Sequence, residues 1–143
     1  MSNDRTVRII PLGGLGEIGL NMMVVEAPDE IVVIDAGLMF PDEEMLGIDL
    51  VIPDISYLLA RREKVRAVLL THGHEDHTGA LPYLLAELKV PVYGTPLSLG
   101  LAGEKLKEAG LLSAYARLHG PKGSRLVRGC IPSLSVILAQ ARI

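Results

Sequence analysis

Aromatic side chains are scarce in this chain: 3% of its 143 residues, with one Phe, four Tyr and no Trp. Any core must therefore be packed from aliphatic residues, which are plentiful, since 49% of the chain is hydrophobic. A single cysteine, Cys130, excludes an intramolecular disulfide and fits a reducing compartment. No apolar run is long enough to span a bilayer, and the segment from Met1 to Arg8 lacks the apolar core of a signal peptide. A cytoplasmic protein without a membrane partner is expected. Strong net charge is also missing, and a formal charge of -3 does not announce a nucleic-acid-binding surface. Acid, finally, is absent from one end. All 17 Asp and Glu residues precede Ala109, while five of the 14 basic residues follow it without an acidic neighbour. No internal repeat or low-complexity segment occurs, and the length is that of one ordinary domain.

What the chain does have is a concentration of histidine. Three of its four histidines fall in Thr71-His72-Gly73-His74-Glu75-Asp76-His77. The preceding Val65-Arg66-Ala67-Val68-Leu69-Leu70 is branched and apolar, which predicts a buried strand. From Asp76 to Lys89, Leu81, Leu84, Leu85 and Leu88 recur at helical spacing. The cluster therefore belongs on a strand-to-helix turn, where side chains converge. Neutral imidazoles and a carboxylate are good ligands for zinc and similar divalent ions. The simpler reading is a polar loop capping a helix, but four potential ligands in six positions favour a metal site.

The rest of the chain alternates strands and helices. Val7 to Leu12 predicts an opening strand, and Met22 to Glu26 another. Between them, Gly14, Gly16 and Gly19 satisfy the spacing of a dinucleotide fingerprint, with Asp35 at a plausible distance for a ribose. The fingerprint should open a helix, however, and a strand follows almost at once; a tight inter-strand loop is the competing reading. Ile31-Val32-Val33-Ile34 predicts an apolar strand ended by Asp35, a residue suited to a turn or to orienting metal ligands. Met39 to Pro53 reads as an acid-rich loop facing solvent, Asp54 to Leu59 as a short helix with Pro53 or Asp54 near its cap, and Arg61 to Arg66 as a solvated basic patch. Pro91 to Gly94 suggests a short strand, and Ser98 to Ala109 a helix stopped by Gly110. No strand is evident after Gly110. The order implies an α/β layered fold that is half of something larger, because a sheet needs its other face covered.

His72, His74, Asp76 and His77 resemble the metal-binding signature of the metallo-β-lactamase superfamily, and Asp35 matches its earlier aspartate motif. The flanking text is more specific. Pro11-Leu12-Gly13-Gly14-Leu15-Gly16-Glu17-Ile18-Gly19 with Asn21, then Ile34 to Pro41, Gly47 to Asp54, and Pro91 to Thr95, resembles bacterial ribonuclease J from about Val7 to about Gly110. The resemblance places the glycine run beside a metal cleft. It implies part of a four-layer αββα metallo-β-lactamase-type sandwich, in a protein that also has an inserted β-CASP domain and a C-terminal domain. It further implies a zinc- or manganese-dependent nuclease acting on RNA as 5′-3′ exonuclease and endonuclease in RNA processing and decay, and able to form homo-oligomers when complete. Two metal ions would be held by His72 and His74 on one side and Asp76 and His77 on the other. Asp76 would also assist proton handling, with Glu17 and Asn21 supporting the cleft.

The family pattern also requires later ligands: a third histidine, a bridging aspartate and a late histidine. Only His119 stands as a further candidate here, and no Asp or Glu follows Glu108. The expected organisation is residues 1–118 as the N-terminal part of a metallo-β-lactamase domain and 119–143 as an atypical basic tail of a truncated or frame-shifted product, inactive on its own. Two other readings stand beside this: another hydrolase of the superfamily, such as a thioesterase, and a non-catalytic metal-binding fragment.

Overall fold

The computed structural model describes residues 6–115 and 118–119. A six-stranded sheet runs in chain order: β1 (Arg8–Gly13), β2 (Met22–Glu26), β3 (Ile31–Ile34), β4 (Val65–Leu69), β5 (Val92–Tyr93) and β6 (Leu118–His119). The first three strands pair antiparallel, and β3 to β6 pair parallel. The β-branched run Ile31 to Val33 is buried throughout, as expected of a strand covered on both faces. The glycine run joins β1 to β2 and opens no helix; Gly14, Gly16 and Gly19 all take positive φ. That removes the dinucleotide reading.

One face of the sheet packs against helices α1 (Ser56–Leu59), α3 (Leu81–Glu87) and α4 (Pro96–Glu108). Val24, Val33, Val68 and Val92 meet Leu58, Leu84, Leu85 and Leu106 there, all nearly or fully buried. On the other face, strand residues alone form a second cluster, Val32 and Ala67 with Leu69 and Tyr93. Sheet and helices are two layers of the expected sandwich, so the α/β class holds for the described residues. No helix among them is long and apolar enough to cross a membrane.

Several elements differ from the sequence expectation. The helix predicted from Asp76 is two: α2 (Glu75–Thr78) and α3. Pro82 has no N–H to offer the Thr78 carbonyl. The bond that would bridge the break is also taken up elsewhere, because the Ala80 N–H donates to the Ala36 carbonyl at 2.8 Å and the Asp76 carbonyl accepts from the Asn21 N–H at 3.1 Å. After Gly110, whose φ is +72°, come α5 (Leu112–Tyr115) and β6, pieces too short for a periodicity to reveal. The tail expected over 119–143 lies outside the described residues except for the backbone of His119. The cap of α1 is shifted: Ile55 holds the N-cap position without a side-chain bond, and Asp54 accepts from the Ser56 N–H at 2.8 Å.

The basic patch is partly engaged rather than simply solvated. Arg61 lies over the Tyr57 ring at 3.9 Å, and Lys64 donates to the Pro28 carbonyl at 2.7 Å. These contacts surround Glu26, a buried carboxylate at the end of the sheet away from the histidines. It accepts from Arg8 at 2.6 Å and from the Tyr57 hydroxyl at 2.5 Å. Burial pushes the Glu26 carboxyl up, but the Tyr57 bond and the Arg8 and Arg61 charges outweigh it and hold the group below its ordinary 4.5. The same bond, with burial and the Glu26 charge, raises the Tyr57 hydroxyl above its ordinary 10.0. A depressed folded-state value means that the stabilisation is present above pH 4.5 and is lost as pH falls through the folded value. Tyr57→Phe removes a bond to a charged acceptor and should lower the unfolding free energy by about 1.5–3 kcal/mol at pH 7. Urea titrations of both forms should show that difference shrinking as Glu26 protonates below pH 4.5.

Candidate metal centre

Strands β3 and β4 are parallel neighbours that end side by side, with Ile34 opposite Leu69. The residues just past these ends build the site. Asp35 turns the chain sharply, with φ of +61°, and its N–H donates to the Leu69 carbonyl at 2.9 Å. Asp tolerates this left-handed conformation better than most residues. The turn leaves Asp35 only 5% exposed. One oxygen of Asp35 accepts from the Thr71 N–H at 2.8 Å, and the other accepts from the Thr71 hydroxyl at 2.7 Å. The second oxygen also meets His77 Nδ1 at 2.8 Å.

This network assigns ring tautomers. Asp35 is an acceptor, so in the neutral ring His77 carries its proton on Nδ1, and the lone pair is on Nε2. The Thr71 hydroxyl gives its proton to Asp35 and can only accept from His72 Nδ1, 3.0 Å away. His72 Nε2 is then likewise the free donor atom. Both rings are set as ligands are set by outer partners. Their centroids lie 4.0 Å apart, and His74 meets His72 edge-on at 4.6 Å.

Asp76 is held separately. Asn21 Nδ2 donates to its carboxylate at 3.2 Å and to its carbonyl at 3.0 Å. The Asp76 carboxylate lies 3.5 Å from His77 Nε2. The chain passes so close here that a Cβ on Gly37 would fall 1.7 Å from the Asp76 carbonyl oxygen, so only glycine fits. His72, His74, Asp76 and His77 are thus neighbours in pairs, with Asp35 behind His77 and Asn21 behind Asp76. Glu17 is exposed and its carboxylate turns back on its own loop, accepting from the Gly14 N–H at 2.9 Å. His119 stands opposite Tyr93 on the backbone of β6, and its side chain lies outside the described residues.

Among the described residues, no three His, Cys, Asp or Glu side chains already surround one point as a ready-made cage. As chemistry the donor set suits a borderline divalent cation: imidazoles presenting Nε2, and one carboxylate with an outer partner. Thr71 is the participant that sequence reasoning passed over; its place beside His72, two residues after a strand, was the available signal. Thr71→Val should abolish the Nδ1-protonated signature of His72 in imidazole nitrogen NMR of the metal-free chain and leave that of His77. Asp35→Asn should disturb both.

A family model described as "Metallo-beta-lactamase superfamily" matches residues 15–129. Over 111 residues the chain is 56% identical to "Ribonuclease J" of Helicobacter pylori (strain ATCC 700392 / 26695), covering 78% of this chain and 16% of that protein. Over 108 residues it is 59% identical to "Ribonuclease J2" of Bacillus subtilis (strain 168), covering 76% of this chain and 20% of that one. The chain thus spans a fifth or less of the length of these curated relatives. A solved structure described as "Peroxy diiron species of chemotaxis sensor ODP" aligns with a TM-score of 0.50 at 15% identity, over 85% of this chain and 44% of that one. At that identity the likeness is one of fold.

Proposed function

The chain belongs to the metallo-beta-lactamase superfamily, and from that premise we propose that it carries the first metal-binding part of a zinc- or manganese-dependent ribonuclease of the ribonuclease J type. The observation that carries this reading is the Asp35–Thr71–His72 and Asp35–His77 network, which engages Nδ1 of two neighbouring imidazoles and leaves each Nε2 for a metal ion. The identity to ribonuclease J proteins supports RNA as the substrate. In this proposal His72 and His74 hold one ion, and Asp76 and His77 the other. The chemistry such ions supply when bound is Lewis-acid polarisation of a phosphodiester and acidification of water.

The chain's own residues have simpler tasks. Asp35 keeps the proton on His77 Nδ1. Asn21 steadies the Asp76 carboxylate, whose remaining lone pairs can take a proton from water. Residues 1–118 supply this much of the domain, and the reading keeps the protein in the cytoplasm. Because no acid follows Glu108, the bridging carboxylate of the family is not supplied by residues 109–143. The chain alone should therefore bind metal weakly, with two protein ligands per ion, and hydrolyse RNA slowly or not at all.

Metal content measured by plasma mass spectrometry after chelator-free purification tests the first half of this reading, and decay of 5′-monophosphorylated RNA tests the second. The expected result is bound zinc or manganese in the wild-type chain, reduced about 10- to 100-fold in affinity by Asp35→Ala. His77→Ala should cost at least as much. A wild-type chain that retains no metal and shows no affinity on titration would overturn the reading. Turnover of small thioesters without RNA hydrolysis would move it to a different hydrolase.

A further inference from the structure

His72 and His77 are oriented by Thr71 and Asp35, and Asp76 by Asn21. His74 is different. Among the described residues its ring makes no hydrogen bond and meets only the edge of His72. What places it must act through the backbone on either side, at Gly73 and Glu75. Helix α4 touches both. Leu101 covers Gly73 so closely that a Cβ there would lie 2.5 Å from Leu101 Cδ1. Four residues on, and hence on the same helix face, the Lys105 ammonium pairs with the Glu75 carboxylate.

We propose that Lys105 is a positioning residue for His74: its ion pair with Glu75 anchors the His72–His77 turn to α4, with Leu101 as the second point of attachment. The proposal rests on the metal-binding reading above. Glu75 also has two backbone ties, its carbonyl accepting from the Leu38 N–H at 3.1 Å and the Gly79 N–H at 2.8 Å. The ion pair adds the link that neither of these makes, from the motif to a helix thirty residues further along the chain. The pair is half-exposed rather than buried, so its effect should be modest, about two- to fivefold.

The sign of that effect makes the idea testable. A lysine that merely sits near a cation site repels the ion, so removing it should tighten binding. A lysine that positions a ligand should do the opposite. The experiment is titration of the full chain with Co2+, followed by its d–d absorption, and with Zn2+ in competition. Lys105→Met should weaken both ions about two- to fivefold and alter the Co2+ bands. The thermal midpoint of the metal-free chain should change little. The exchanged pair, Glu75→Lys with Lys105→Glu, keeps the net charge and should recover most of the lost affinity. Unchanged or tighter binding by Lys105→Met, or an exchanged pair no better than the single variant, would overturn the positioning role while leaving the metal site intact. A wild-type chain that takes up neither ion would instead remove the underlying reading, and this proposal with it.

Discussion

The two strand ends and two of the three rings at the histidine end of this protein depend on one buried carboxylate. Asp35 is forced into a left-handed turn, a conformation that costs about 1–2 kcal/mol. Three accepted hydrogen bonds to its charged oxygens, two from Thr71 and one from His77, offset that cost. The result is more than local stability. The same two oxygens tie the end of β3 to the end of β4, choose the tautomer of His77 directly, and choose that of His72 through a hydroxyl. Losing Asp35 would leave two rings free to turn and a strand end without its bolt.

The opposite end of the sheet uses the same device for a different purpose. Glu26 is as buried as Asp35 and similarly surrounded by donors, but its partners are Arg8, Arg61 and Tyr57 rather than imidazoles. Guanidinium groups keep their charge and tyrosine keeps its proton at neutral pH, so this cluster can only hold the sheet together. Histidine partners, by contrast, keep a second ring nitrogen that can serve as a ligand. Two buried acids at two ends of one sheet thus serve structure and chemistry, and the difference lies in the donors around them.

The cluster itself was legible in the sequence because its members are close in the chain, and Asp35 because it ends an unbroken apolar run. Asn21 could be singled out by resemblance but not assigned a task; its amide reaches Asp76 across 55 positions. Separation in the chain also hid the break between α2 and α3, since the competing partners of Asp76 and Ala80 are Asn21 and Ala36. Leucine spacing alone gave no reason to interrupt the helix, although Pro82 was a local hint. Lys105 was invisible for a related cause: a lysine on an amphipathic helix usually faces water, and only packing shows that this one faces the motif. Strand β6 is two residues long and carries no pattern to read.

The brevity of α2 has a consequence for anyone wishing to move this centre elsewhere. A four-residue helix cannot persist by itself, because nucleating a turn costs more than one turn returns. Its shape is borrowed from Asn21, Ala36, Leu38 and α4, which come from three separate stretches of chain. A peptide spanning Val65 to Glu87 would carry all four candidate ligands and Thr71, but neither Asp35 nor Asn21 nor α4, which aim them. Unlike a zinc finger, this motif is not a portable part; grafting it means transplanting the sheet edge as well.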